Sequence, residues 1–291
     1  AREPRGVAGI SRRARFRFAL KSARTRPLMG RSLRNVASLI TTVTILQLAA
    51  GLIGVRLPLD FIAHGNSRAA LGLVAASYSA GFMLGAVVAT QMLARVGHIR
   101  VYAACAGIFA AMTLMLHFVG DVWSWGIARM IAGVAVALMF AAVESWLASS
   151  ISSNERGELM SLYMVATKAA LAVGPFLAFD YNDAASEPWM IAAGIAAISI
   201  APVCFTSAAQ PDLPKAQPFA LVEQFATAPA AVIACFGAGL INSGVLALAP
   251  LYASQHFGAS AAAEFYSAAW TARCCCNGPR GASPIVSIGA W

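Results

Sequence analysis

The sequence predicts an all-α polytopic membrane protein with about seven or eight transmembrane helices. Its 291 residues are 59% hydrophobic and 11% charged, and the mean hydropathy is +0.70. Because average soluble domains carry about 25% charged residues, a globular core cannot absorb this composition. Runs of about 20 mostly apolar residues recur along the chain, and each is long enough to cross a bilayer as a helix. The composition therefore argues against a soluble enzyme.

Basic residues are concentrated at the start of the chain. Eleven of the 21 Lys and Arg residues lie in positions 1–34, and the remainder of the sequence is close to neutral. Nucleic-acid binding needs a basic face on a folded domain, so no nucleic-acid partner is expected. Residues 1–28 lack the apolar core of a secretory signal. We interpret them as a non-native or disordered leader, either an over-extended start before Met29 or an organelle transit peptide.

The apolar segments fall into two groups. Residues 29–206 are predicted to form an N-terminal six-helix bundle. Residues 207–228, which contain three prolines in a short polar stretch, are predicted to be a cytoplasmic linker, and residues 229–272 a partial second bundle. The predicted spans lie near 36–58, 69–94, 99–119, 122–147, 157–180, 187–206 and 229–253, and an eighth begins near 259.

The loops between these spans differ in charge. Arg95 and Arg100 lie between the second and third spans, and Arg156 and Lys215 follow the fourth and the sixth. The alternate loops hold Arg68 but also five acidic residues: Asp60, Asp121, Asp180, Asp183 and Glu187. Because Lys and Arg are in excess in cytoplasmic loops, the N-terminus is expected in the cytoplasm, and the expected location is a bacterial inner (plasma) membrane.

A weak internal repeat connects the two groups of spans. "GLIGVRLPLDF" (51–61) is similar to "GLINSGVLALAPLY" (239–252), and "AASYSAG" (75–81) is similar to "EFYSAAW" (264–270). The repeat aligns span seven with span one and span eight with span two. Two repeated halves around a central loop are typical of secondary transporters; chance similarity between Ala-rich helices is the alternative.

Among the charged residues within the predicted spans, Arg129, Lys168 and Glu144 are the main candidates for a functional site, because charge there is costly and usually functional. Arg129 lies about 10 Å inside span four, and Lys168 lies about 16 Å inside span five, near the midplane. Glu144 lies near the cytoplasmic end of span four, about 22 Å from Arg129 along the helix, so the two cannot pair. We predict that these residues bind substrate or couple conformations; interhelical pairing is the alternative. The excess of cations favours an anionic or carboxylate-bearing solute.

Two further features flank these spans. Arg56 and Asp60 enclose "RLPLD" and are predicted at the outer rim of the protein. Gly174 and Pro175 interrupt span five. Since proline removes a backbone hydrogen bond and bends a helix, the pair predicts a kink that could serve a gating helix, with a tolerated packing kink as the alternative.

Short motifs in this order resemble the major facilitator superfamily. "RMIAG" (129–133), which ends at Gly133, resembles the Arg-x-x-x-Gly signature of its fourth helix. "LAVGPFLA" (171–178) resembles the Gly-Pro motif of its fifth. "SYSAG" together with "AAVESWL" is most similar to the YcaD-like branch of the superfamily.

A third motif differs from the family pattern. "ARVGHIR" (94–100), with Arg95, Gly97 and Arg100, resembles the end of the loop between helices two and three. In the usual form, Gly-x-x-x-Asp-Arg-x-Gly-Arg-Arg, a Gly and an Asp stand where this chain has Thr90 and Ala94. That departure puts in doubt the acid-based lock which the family normally has at this loop.

The resemblance implies a secondary active transporter that moves a small solute by alternating access between two six-helix bundles. Its implied partners are the lipid bilayer, the solute and a coupling ion such as a proton. No enzyme activity, cofactor or metal site is expected, because no metalloprotease, phosphate-loop or nucleophile-elbow motif is present. The alternatives are a seven-helix receptor, which the loop charges disfavour, and a non-transporting membrane sensor or scaffold.

The chain ends in "TARCCCNGPRGASPIVSIGAW". Three adjacent cysteines make a poor metal chelate, because convergent ligands need spacing. A neighbouring reading frame can encode "LLLQWPAGRLSDRFDRRL", which would complete an eighth helix and resembles the superfamily loop that follows it. We predict that residues 273–291 are a frameshifted, non-native tail on a C-terminally truncated product. Whether such a product transports is left open by the sequence.

Overall fold

The structure, a computed structural model, describes residues 12–150, 156–177, 186–206 and 225–276. Those residues are almost entirely helical, and seven of the helices are long and apolar enough to cross a membrane. The predicted all-α polytopic class is confirmed. The helices are α1 (Arg12–Ala63), α2 (Arg68–Val96), α3 (His98–Phe118), α4 (Val122–Ser149), α5 (Arg156–Val173), α6 (Glu187–Ile198), α7 (Ile200–Cys204), α8 (Pro229–Phe257) and α9 (Ala259–Cys276), and a 3₁₀ turn (Gly174–Leu177) continues α5.

The two ends of the described chain differ from the expected spans. Helix α1 begins at Arg12, inside the predicted leader, although its membrane-length apolar part is Val36–Ala63. Helix α9 forms where the eighth span was expected, but it is not among the seven apolar spans; Glu264 and Arg273 lower its hydropathy. Residues 1–11, 207–224 and 277–291 lie outside the described residues, so the predictions for the leader's start, the linker and the tail stay predictions.

Local sequence signals set the helix ends. Ser67 caps α2, where its hydroxyl accepts a hydrogen bond from the amide of Ala70 (3.2 Å), and Asp121 caps α4 by accepting from the amide of Ser124 (2.8 Å). Gly97 joins α2 to α3 with φ of 90°, a conformation that side chains with a Cβ rarely adopt. Ser67, Gly97 and Asp121 thus keep the α1–α2, α2–α3 and α3–α4 connections, in that order, to a few residues.

Helices α2 and α4 approach each other closely along their length. A Cβ added at Gly133 would lie 2.8 Å from the amide nitrogen of Phe82, and one added at Gly85 would lie 2.7 Å from the carbonyl oxygen of Val134. Small residues at such crossings let the backbones of membrane helices touch. The glycines therefore fix the register between α2 and α4.

We call α1–α7 the first group of helices. Helix α1 is central to this group and packs on α5, α6 and the 3₁₀ turn, while α3 packs on α4 and α6. Three buried aromatic rings join α1, α4 and α6: the centroids of Phe61 and Trp125 are 5.2 Å apart, and those of Trp125 and Trp189 are 5.9 Å apart. Ser199, between α6 and α7, is buried, and its hydroxyl lies 3.1 Å from that of Tyr102.

Helix α9 attaches to the first group of helices through one face. It packs on α8 and on α5, and the hydroxyl of Ser267 donates to the carbonyl oxygen of Ala172 over 2.6 Å. Its buried contact face forms a small apolar cluster with α1 and α5. The members of that cluster are Val55, Leu171, Ala172, Ala262, Tyr266 and Trp270.

Candidate functional site

Two intramembrane cations each lie against an aromatic ring. The Cζ of Arg129 is 4.1 Å from the ring centroid of Tyr78, and the Nζ of Lys168 is 4.6 Å from the ring centroid of Trp270. Both distances are within the range of cation–π attraction. We name Arg129, Lys168, Tyr78, Tyr266 and Trp270 the cation–aromatic cluster.

The close approach of α2 and α4 positions the Arg129 half of the cluster. Tyr78 lies one turn before Gly81 on α2, and Arg129 lies one turn before Gly133 on α4. A Cβ added at Gly81 would lie 2.8 Å from the carbonyl carbon of Met130. Because no side chain separates the two backbones there, the guanidinium reaches the face of the tyrosine ring.

Helix α9 supplies the other rings of the cluster. Tyr266 and Trp270 are one turn apart on its buried face, and their ring centroids are 6.2 Å apart. Tyr266 packs against α1, where a Cβ added at Gly54 would lie 2.6 Å from its Cζ, and it is close enough to Arg129 for an electrostatic interaction. The cluster thus joins α2, α4 and α5 to α9.

The charge of Arg129 is incompletely compensated. Its Nε is shielded from solvent and finds no hydrogen-bond acceptor among the described residues, and no described carboxylate lies within 4.0 Å of it. A cation–π contact contributes about 0.5–2 kcal/mol, whereas burying an ion costs several kcal/mol. Arg129 is half-buried, so the Tyr78 ring alone does not offset the cost of removing part of its guanidinium from water.

Glu144 belongs to the Lys168 side of the site. Its Oε1 accepts a hydrogen bond from the hydroxyl of Tyr163 on α5 over 3.1 Å, and the charge of Lys168 acts on it. The structure thus brings Glu144 to α5 and away from Arg129. This arrangement agrees with the 15-residue separation of Arg129 and Glu144 along α4.

Arg56 and Asp60 lie elsewhere, in the interior of the helix group. Their Nε and Oδ1 atoms form an ion pair of 2.8 Å, and only 4% and 3% of the two residues is exposed. Trp189 of α6 donates its indole N–H to the Oδ2 of Asp60. The sequence placed both residues at the outer rim; the structure differs because α1 stays helical through "RLPLD" and turns this pair towards α6.

Gly174 and Pro175 are both buried in the 3₁₀ turn that ends α5. A Cβ added at Gly174 would lie 2.9 Å from the Cα of Gly51 on α1 and 2.9 Å from the amide nitrogen of Leu52. The interruption in span five is therefore also a point of close backbone contact with α1. Its predicted gating role stays a prediction.

The "ARVGHIR" motif (94–100), between α2 and α3, contains both exposed and buried residues. Arg95 and Arg100 are exposed, whereas Gly97 is buried at the turn. His98, which the sequence did not single out, is also buried, and its Nε2 lies 3.1 Å from the hydroxyl oxygen of Ser145 on α4. Within the described ranges, no three His, Cys, Asp or Glu side chains converge as metal ligands.

The aromatic members of the cluster were missed as site residues. Tyr78 and Tyr266 occupy equivalent positions of the internal repeat, in "SYSAG" and "FYSAA". Tyr78 contacts the guanidinium of Arg129, and Tyr266 is close enough to interact with it electrostatically. Their shared position in the repeat could have identified them as candidates. An uncharged aromatic residue in an apolar helix does not by itself indicate a functional site.

Comparisons with known proteins identify the family. Residues 39–278 match the model of the Major Facilitator Superfamily. The "Uncharacterized MFS-type transporter YcaD" of Escherichia coli O7:K1 (strain IAI39 / ExPEC) and that of Shigella sonnei (strain Ss046) are each 28% identical to this chain over 239 residues. The protein of the same name from Salmonella enteritidis PT4 (strain P125109) is 28% identical over 240 residues.

Each of these three alignments covers 81% of this chain and 62% of the relative, so the chain spans less than two thirds of the length of these relatives. The matched region includes most of the membrane-length apolar part of α1 and all the helices that follow it. The resemblance seen in the motifs is confirmed: the chain is an integral membrane protein and belongs to the Major Facilitator Superfamily.

Proposed function

We propose that the protein is a secondary active transporter, not an enzyme, and that it moves a small solute across a bacterial inner membrane by alternating access. The observation that carries the proposal is the placement of Arg129 and Lys168 inside apolar spans, beside the contact between the first helices and α9. Charge in such a position is costly, and in membrane proteins it usually marks a solute or ion pathway. Membership of a transporter superfamily supports this interpretation.

The proposed motion is a rocking of α8 and α9 against the first group of helices. Helix α9 meets α5 through its single buried face, and α5 packs on α1 both along the helix and at the 3₁₀ turn that contains Gly174. A change at that turn would shift α5 relative to both neighbours. In the proposed orientation the N-terminus and the exposed Arg95 and Arg100 face the cytoplasm.

Glu144 is the proposed site of the coupling ion, a proton. It is an acid inside a span, it accepts a hydrogen bond from Tyr163, and it is within electrostatic reach of Lys168 of the cation–aromatic cluster. Protonation of Glu144 would remove a negative charge beside Lys168. The charge balance of the cluster would then depend on the coupling ion.

The test is solute exchange in liposomes that contain the full chain. Vesicles loaded with one unlabelled solute at a time, from a panel grouped by charge, are diluted into the same labelled solute, and counterflow is followed by filtration. We expect counterflow for at least one solute, a loss of at least tenfold in Arg129→Gln, and no change in Glu264→Gln, whose acid is exposed on α9. Saturable binding without any counterflow would contradict transport and favour a sensor or scaffold.

A second measurement isolates the coupling step. Glu144→Gln is expected to retain counterflow, which needs no gradient, and to lose uptake driven by an imposed pH difference. Glu264→Gln, which neutralises an exposed acid of α9, is the matched control and should retain both. Gradient-driven uptake that survives in Glu144→Gln would contradict the role of this residue.

A further inference from the structure

We propose that the cation–aromatic cluster binds an organic monoanion, a solute with one carboxylate-type group on a flat apolar body. The proposal rests on the proposed transport function and names the substrate class for it. Three observations carry it: the uncompensated charge of Arg129, the balance of charges around the cluster, and the rings that surround its cations.

Arg129 supplies the anion-binding group. The ring of Tyr78 covers the guanidinium at 4.1 Å, while Nε, in the guanidinium plane, finds no acceptor among the described residues. A π face attracts a cation but gives no acceptors for the N–H donors in the plane. A carboxylate-type group would satisfy these donors, because its two oxygens match the parallel donors of the guanidinium fork.

The charges around the cluster indicate a monoanion. Arg129 and Lys168 are both cationic, and Glu144 is the described acid that interacts with Lys168. Glu144 cannot neutralise Arg129, because the two are about 22 Å apart along α4. Glu264 of α9 is exposed. Among the described residues one positive charge is therefore left over, and a solute with a single negative charge would balance it.

The rings indicate the rest of the solute. Tyr266 and Trp270 lie on the buried face of α9 with their centroids 6.2 Å apart, and Trp270 covers the Nζ of Lys168. Tyr78 and Tyr266, the equivalent tyrosines of the repeat, both lie near Arg129. A small, strongly hydrated anion would gain little from these walls, whereas an apolar body would bury surface against them.

The test is ligand binding to the full chain in lipid nanodiscs, measured by titration calorimetry at constant ionic strength. The probe is benzoate, and benzamide is its uncharged analogue. We expect saturable binding of benzoate and at least tenfold weaker binding of benzamide. Acetate, which has the charge without the ring, should also bind at least tenfold more weakly than benzoate.

Variants assign the binding to the cluster. Arg129→Gln should weaken benzoate binding at least tenfold, and Glu264→Gln, at an exposed acid of α9, should leave it unchanged. Should Arg129→Gln fail to fold, Arg129→Lys retains the positive charge without the planar fork and should still bind several-fold more weakly than the wild type. Trp270→Leu is expected to weaken benzoate binding while acetate binding stays the same.

The outcomes separate this proposal from the proposed function. Equal binding of benzoate and benzamide, no saturable benzoate binding, or wild-type affinity in a folded Arg129 variant would overturn the anion site. Solute counterflow in a chain that does not bind benzoate would leave transport standing and reject the monoanion. Arg129-dependent benzoate binding without counterflow would support the site and reject transport.

Discussion

Trp189 of α6 donates its indole N–H to the Oδ2 of Asp60 in α1 over 2.6 Å, and the same carboxylate forms an ion pair of 2.8 Å with Arg56. All three residues are buried. The carboxylate therefore has two structural functions: it compensates the charge of a buried guanidinium, and it satisfies a buried donor of the neighbouring helix. The position of α6 against α1 depends on both.

The first prediction is that Asp60→Ala destabilises the protein strongly. The change leaves Arg56 buried without its carboxylate and Trp189 without its acceptor, and breaking a buried ion pair in this way costs about 3–5 kcal/mol. The free energy of unfolding, measured in mixed micelles with increasing denaturing detergent, should fall by that amount.

Two variants control this prediction. Glu264→Ala removes an exposed carboxylate and should change the free energy of unfolding by less than about 0.5 kcal/mol. The double variant Arg56→Met/Asp60→Leu should recover much of the loss, because no charge is then left buried. A double variant as unstable as Asp60→Ala would show that the uncompensated charge is not the cause.

The second prediction concerns the contact between α1 and the 3₁₀ turn. In Gly174→Ala the new Cβ meets backbone atoms of Gly51 and Leu52 at 2.9 Å, which cannot move aside as a side chain can. Overpacking of this kind costs about 1–3 kcal/mol. The melting temperature in detergent should therefore fall, and gradient-driven uptake should fall with it if the turn takes part in gating.

The matched control is Gly107→Ala in α3, where an added Cβ meets no heavy atom within 4 Å. Alanine favours a helix over glycine by up to about 1 kcal/mol, so this variant should be at least as stable as the wild type. If Gly174→Ala and Gly107→Ala melt at the same temperature, the close contact at Gly174 is not what holds α5 to α1.

The helix positions could be predicted because apolar length is a local property of the sequence. The third span was expected at 99–119 and is the helix His98–Phe118, and the fourth was expected at 122–147 and is Val122–Ser149. Arg129 and Lys168 were predicted as candidates for a similar reason, since a charge in an apolar run is visible without knowledge of its neighbours.

The contacts of those charges could not be predicted, because they depend on the register between helices that are distant in sequence. Tyr78 reaches Arg129 only because glycines bring α2 against α4, and Trp270 reaches Lys168 only because α9 packs on α5. The burial of Asp60 has the same origin. Its charge near a span end suggested the surface, but the face of α1 that carries it points to α6.

The third prediction is a pH dependence at the start of α4. The amide of Ser124 donates to the carboxylate of Asp121 and holds the pKa of Asp121 below its usual range. A carboxylate with a lowered pKa in the folded state stabilises the protein above its unfolded pKa of about 3.9, and this stabilisation is lost as the pH falls through the lowered folded pKa. The difference in melting temperature between the wild type and Asp121→Asn should therefore be largest near neutral pH and should shrink in acid.

Ser67→Ala controls this measurement, because it removes a hydroxyl cap that does not titrate. Its lowering of the melting temperature should be the same at every pH in the series. A constant difference between the wild type and Asp121→Asn across that series would contradict a contribution from the charge of Asp121.

The fourth prediction is that the turn between α2 and α3 requires glycine. Gly97 has φ of 90° and ψ of 159°, a region that is essentially restricted to glycine and costs about 1–3 kcal/mol for other residues. Gly97→Ala should lower the free energy of unfolding by that amount, and relaxation of the turn would also displace the neighbouring His98 from Ser145. The comparison is Gly72→Ala in α2, which has helical backbone and no heavy atom within 4 Å of an added Cβ and should not lose stability. Equal stability of the two variants would mean that the positive φ does not constrain this turn.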